Sequence, residues 1–147
     1  MFIDGVLRSH TGAPIRQGLA FYRIMQDSTE VFLLCSNKDR DDRWLREQKI
    51  LVTDDLVGED IPMSGEWLEL RQVQYCRGRG HVDAVVTSDT ELAAKLLEIG
   101  ITSILFLHPT YLAEKFRPDG REGKKSWNDI RDEIVRQQEM YVSDPRV

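Results

Sequence analysis

Apolar residues along this chain fall into two kinds of run, and the alternation between them predicts its architecture. Val31-Phe32-Leu33-Leu34-Cys35 is an unbroken apolar stretch ending at Ser36-Asn37, and the runs Val82–Thr87 and Ile101–Leu107 end at Ser88-Asp89 and His108-Pro109. Runs this short suit strands buried on both faces, as in a parallel sheet covered by helices. Met1 to Ile3 reads as a strand stub. Between these runs the apolar positions recur at three- and four-residue steps. Ile15, Leu19, Tyr22 and Met25 predict an amphipathic helix over 15–26, after a loop from Val6 to Ala13 and with Pro14 near its start. A second helix is expected over 39–49, with Trp44 and Leu45 turned inward and the alternating charges of Asp39 to Arg43 as its exposed first turn. Ser64 is placed to cap a third helix running to Arg77, which Gly78 and Gly80 end. Thr90 to Ile99 makes a fourth, closed by Gly100. The stretch Ile50–Met63 reads as irregular, with room for one short strand. A polar connector, Arg117–Lys125, leads to the capping box Ser126-x-x-Asp129 and a C-terminal helix carrying Trp127, Ile130 and Ile134.

Strand-helix-strand order implies right-handed βαβ units, and so an α/β fold: a three-layer, Rossmann-like, mainly parallel sheet with helices on both faces. In such folds ligands bind at the carboxyl ends of the strands. The polar residues that end the apolar runs are Asp4, Ser36-Asn37, Ser88-Asp89 and His108, and the topology gathers all of them along one sheet edge. One α/β domain is expected over 1–116, with 117–147 as a connector and helix packed on it. That helix either covers a sheet face or swaps to a neighbour and builds a homo-oligomer.

With 147 residues, 41% hydrophobic and 31% charged, the chain has the make-up of an ordinary globular protein with one core. A net charge of -5 argues against nucleic-acid binding through a basic surface. The two cysteines, Cys35 and Cys76, are too far apart in sequence to suggest a zinc site or a disulfide framework. No apolar run is long enough to span a bilayer, and no signal peptide is read at the start, so a cytoplasmic protein without a membrane partner is expected.

The candidate chemistry begins at Phe2-Ile3-Asp4-Gly5-Val6. With Leu33-Leu34-Cys35-Ser36-Asn37, Val85-Val86-Thr87-Ser88-Asp89 and the strand closing at His108-Pro109, it resembles the haloacid dehalogenase-like superfamily, and within it the small nucleotidase-like members of bacteria and their phages. The resemblance covers residues 1–109. It implies a Rossmann-like phosphohydrolase fold opening with Asp-x-Asp-Gly-Val, in which the first Asp attacks phosphorus and the second handles the leaving-group proton. Asp4 matches the second position; the first is Phe2, which can neither attack nor coordinate. The resemblance further implies phosphate binding by Ser36 and Asn37, with Arg71, Arg77 or Arg79 as the neutralising cation. It implies magnesium held by Asp4 and by Asp89, where Thr87 and Ser88 stand in places often acidic. Phosphoryl transfer needs an in-line nucleophile and commonly two carboxylates on the metal.

Three readings follow: a scaffold with a degraded site, kept to bind a phosphorylated small molecule or a protein partner; an active Mg-dependent phosphatase or nucleotidase using Asp4 as nucleophile; and an unrelated α/β domain. Plainer roles also stand beside the chemical ones. Ser36-Asn37 can be a strand-ending turn, Asp89 an N-cap and Arg77-Gly-Arg-Gly-His81 a solvated turn.

Overall fold

The computed structural model describes residues 1–108 together with Val135, so the connector and C-terminal helix expected over 117–147 lie outside the described residues apart from that one position. The chain divides into two compact units, Met1–Tyr111 and Leu112–Val147. The first is a mixed α/β unit. Its elements in order are α1 (Arg16–Ser28), β1 (Phe32–Leu34), α2 (Lys38–Glu47), β2 (Asp55–Val57), α3 (Leu68–Arg79), β3 (Val85–Thr87), α4 (Thr90–Glu98) and β4 (Ser103–Leu105).

The strands form two parallel pairs. Phe32 lies opposite Asp55 in β1–β2, and Val85 opposite Ser103 in β3–β4. Residues 1–3 bond to both pairs: Leu34 N–H donates to Met1 O (2.9 Å), Ile3 N–H to Leu34 O (3.1 Å) and Phe2 N–H to Val86 O (3.0 Å). The Met1 amino group is itself buried and donates to Phe32 O at 2.7 Å; burial pushes it down to about 5, against a smaller upward pull from Cys76.

Successive residues of these segments serve two apolar clusters. Met1, Ile3, Leu33, Cys35, Leu56 and Val86 join Tyr22 of α1 and Leu45 of α2 in one. Phe2, Leu34, Val57 and Val85 join Val73 and Cys76 of α3 and Leu92 and Leu96 of α4 in the other. That period of two is the geometry of extended chain, and it explains why the apolar runs are unbroken. Each side chain that leaves water in this way is worth about 1.5–3 kcal/mol.

The short strand for which 50–63 left room is present as β2, beside Asp54-Asp55. Asp54 serves the fold there by accepting the Val31 N–H (2.6 Å), and Asp55 accepts from its neighbour Leu56 N–H (2.9 Å). Ser64 does not cap α3, because Gly65 at φ +140° breaks the chain direction and the helix starts at Leu68 with Trp67 in the N-cap position. The helix then runs through Gly78 to Arg79.

The turn after residue 3 packs directly on α1. A Cβ on Gly18 would lie 1.6 Å from the Val6 carbonyl oxygen, so the helix reaches that backbone only because position 18 has no side chain. Gly18→Ala is expected to destabilise the unit by about 1–3 kcal/mol through overpacking, measured by urea denaturation. Unchanged stability would mean that α1 does not rest on Val6.

Candidate functional site

The site is built from the turn that leaves residue 3. Gly5 adopts φ +82°, a left-handed conformation that glycine takes without steric cost. The N–H groups of Leu7 and Arg8 then both point back to Ile3 O, at 2.9 and 3.0 Å. One tight turn therefore returns the chain over the strand end and sets Arg8 beside Asp4. A hairpin follows, closed by Ser9 N–H on Ala13 O (2.8 Å), and Ile15 N–H bonds Leu7 O (2.7 Å).

Arg8 is buried, and its guanidinium joins two carboxylates. Nε and Nη2 donate to Asp4 Oδ1 at 2.8 and 2.7 Å, and Nη1 donates to Asp41 Oδ1 at 2.7 Å. The Trp44 ring lies 5.3 Å from the guanidinium carbon, and its indole N–H donates to Gly12 O (2.8 Å), tying α2 to the hairpin. Stacking of this kind suits a weakly hydrated guanidinium.

Asp41 is 0% exposed. The alternating charges of Asp39 to Arg43 are thus not a uniformly solvated turn, because one of them carries the buried end of an ion-pair network. Asp41 also accepts from Arg40 Nε (2.8 Å) and Nη2 (3.3 Å). Arg40 Nη2 reaches Ser36 Oγ at 2.9 Å, while 58% of the Arg40 side chain stays exposed. Burial alone would push the Asp41 carboxyl up; the hydrogen bonds from Arg40 and Arg8 outweigh it and hold the carboxyl below its ordinary value. Burial likewise works to lower Arg8, and its bonds and charge pairing with Asp41 and Asp4 raise it above the usual arginine value.

The structure links several of the sequence-selected residues. Asp4 connects through Arg8, Asp41 and Arg40 to Ser36, and Ser88 Oγ donates to the Asp4 carbonyl at 3.4 Å. Asn37 caps α2, its side chain accepting from Arg40 N–H (2.9 Å), and Glu59 Oε2 takes the Lys38 N–H (2.9 Å). Asp89 caps α4 in the same way, Oδ1 accepting from Glu91 and Leu92 N–H at 2.8 and 3.1 Å. Phe2 sits in the apolar cluster beneath α3 and α4.

The three arginines chosen from sequence are dispersed. Arg71 is in the first turn of α3, next to Gln72, whose amide bonds the Cys35, Val57 and Gly58 carbonyls at the carboxyl ends of β1 and β2. Arg71 Nη1 donates to Met63 O (2.9 Å). Arg77 is exposed in the last turn of α3. Arg79 pairs with Asp55 and lies over the rings of Phe32 and Tyr75. Asp55 and Phe32 are the first residues of β2 and β1, so Arg79 stands at the strand ends away from Ser36. A cavity of about 960 Å³ opens at those same amino ends, lined in part by Met1, Phe32, Asp55, Cys76 and Arg79. It includes none of Asp4, Ser36 or Asp89.

A magnesium ion fits the strand-end residues poorly. Asp4 shares one oxygen between two Arg8 nitrogens, the other selected carboxylate caps a helix, and no group of three or more His, Cys, Asp or Glu gathers among the described residues. Cys35 offers no reactive thiol there, since burial and the nearby Asp41 and Glu59 charges push it up to about 12. Sequence reasoning missed Arg8, Arg40 and Asp41. The spacing of Asp4 to Arg8, four residues, was the one available signal. No helix among the described residues is long and apolar enough to cross a membrane.

No family model, curated protein or solved structure matches the chain.

Asp41→Ala is expected to cost about 3–5 kcal/mol at neutral pH, because it leaves buried guanidinium charge uncompensated. A carboxylate whose folded value is depressed stabilises the fold above its unfolded pKa of about 3.9, and that contribution is lost as pH falls through the folded value. The wild-type advantage over Asp41→Ala should therefore shrink below about pH 4 in denaturation curves. A difference that is small at neutral pH and independent of acid would contradict the buried network.

Proposed function

We propose that the two strand pairs and residues 1–3 form one Rossmann-like sheet within a three-layer, haloacid dehalogenase-like fold whose phosphohydrolase chemistry has been lost. Its strand-end cleft is kept to bind a phosphorylated small molecule, inorganic phosphate or a nucleotide. Support for the sheet comes from the bonds of residues 1–3 to both β1 and β3 and from side chains that alternate between two helix-covered clusters. The order β2–β1–(1–3)–β3–β4 then brings Asp4, Ser36 and Ser88 to neighbouring strand ends, where ligands of such sheets bind.

One observation carries the loss of chemistry. The position expected to supply the nucleophile is Phe2, a ring packed in the core, and the remaining carboxylate, Asp4, is bonded twice by Arg8. Asp4 Oδ1 is thereby committed to a guanidinium, and among the described residues no group of three or more His, Cys, Asp or Glu gathers to hold a metal. A ligand needs neither. Hydroxyls such as Ser36 and an exposed guanidinium such as Arg40 hold phosphate by charge-assisted hydrogen bonds alone.

An alternative is an active phosphatase in which Asp4 is the nucleophile, and the 42% exposure of the Asp4 side chain is the feature in its favour. Turnover of an aryl phosphate in the presence of magnesium separates the two. The degraded-site reading expects no release above the buffer rate, and no change in Asp4→Asn. Divalent-dependent turnover that disappears in Asp4→Asn would contradict it and establish the alternative.

A further inference from the structure

We infer that Arg8 is the resident cation of the strand-end cleft, standing between Asp4 and Asp41 in place of a metal ion, so that Arg40 and Ser36 take a phosphate dianion without any metal. The ligand class rests on the function proposed above; the place of Arg8 rests on geometry alone.

All three guanidinium nitrogens of Arg8 are engaged, Nε and Nη2 on one Asp4 oxygen and Nη1 on one Asp41 oxygen. A metal bridging these carboxylates would compete for oxygens that Arg8 holds, Asp4 Oδ1 and Asp41 Oδ1. It would sit within a few ångströms of a buried positive charge, where repulsion is weakly screened. The guanidinium, by contrast, lies against the Trp44 ring, and its own backbone closes the turn over residues 3–8. With its three nitrogens bonded and its side chain buried, it is built into the fold.

The charges around it also balance. Asp4 and Asp41 supply two negative charges, Arg8 and Arg40 two positive ones. Within this hydrogen-bonded network of four side chains each carboxylate therefore already has a cationic partner. Arg40 differs from Arg8 in being half-exposed, and one of its nitrogens lies on the Ser36 hydroxyl at 2.9 Å. The nearby helix start offers little to a ligand, since Glu59 holds the Lys38 N–H and Asn37 holds the Arg40 N–H. Arg40 with Ser36 is thus the part of the cleft suited to a phosphate, in the role that sequence alone gave to Arg71, Arg77 or Arg79.

The test uses the full chain, inorganic phosphate followed by phosphorus NMR, and manganese followed by its own paramagnetic signal. Phosphate should bind with the same affinity in chelator and in excess magnesium. Arg40→Gln should weaken it roughly tenfold, as loss of a charged hydrogen bond does, and Arg77→Gln should leave it unchanged. Wild type should not bind manganese, and Arg8→Gln should gain manganese binding through the oxygens that Arg8 leaves, Asp4 Oδ1 foremost, since Asp41 stays bonded to Arg40. The wild-type measurements decide the matter even where Arg8→Gln fails to fold. Phosphate binding seen only with magnesium, or manganese binding by wild type, would overturn the role of Arg8 while leaving the proposed function intact. Phosphate binding unaffected by Arg40→Gln would overturn the role of Arg40. No phosphate binding under either condition would overturn the ligand reading itself and leave a protein partner as the occupant of the cleft.

Discussion

The organisation of this unit depends on a buried guanidinium that two carboxylates share. Arg8 leaves water, and a charge that does so must be paired and hydrogen-bonded or the fold is lost. Asp4 comes from the end of the first extended segment and Asp41 from α2, so one side chain fastens the N-terminal turn to a helix more than thirty residues away. Trp44 adds a second tie between the same two regions. Gly5 makes the turn and Gly18 allows α1 to lie against it.

That clamp also bears on chemistry. Clustered carboxylates are raw material for a metal-assisted phosphoryl-transfer site, and here two of them, Asp4 after the first extended segment and Asp41 on α2, form a structural joint around a guanidinium. Phe2 serves the core, and Asp4 Oδ1 and Asp41 Oδ1 are bonded by Arg8. The Arg40 guanidinium and Ser36 remain open to solvent, and so in part does the Asp4 side chain. The proposed binding without catalysis rests on where these charges are committed.

Much of the fold was legible in the sequence, for physical reasons. Unbroken apolar runs such as Val31–Cys35 marked segments buried on both sides, and the structure divides their side chains between two clusters. The amphipathic spacing of Ile15, Leu19 and Tyr22 marked α1 to within two residues of its observed ends, Arg16 and Ser28. β2 was harder, because only Leu56 and Val57 advertise it and its acidic flank reads as a loop. α3 began later than Ser64 suggested, since a serine ahead of an apolar run signals a cap only if the backbone between them is helical, and Gly65 is not. The site was half legible. Strand-end residues can be listed from topology, so Asp4, Ser36 and Ser88 were found. Asp41 was hidden among charges that look solvated, and its burial depends on Arg8, a partner thirty-three positions away. Pairing over that distance leaves no local trace in one sequence. Arg79 was drawn in by its place in a basic segment, although α3 carries it down to the start of the strands.

The central claim is that Arg8 and Asp41 are coupled as a buried pair, and a double-mutant cycle on folding stability measures that coupling directly. With Arg8→Met, Asp41→Leu and the double variant unfolded in urea at neutral pH, the account predicts a coupling energy of about 2–3 kcal/mol, so that the double variant is far less damaged than the sum of the single ones. A coupling below about 0.5 kcal/mol, the level of a solvent-exposed ion pair, would contradict it.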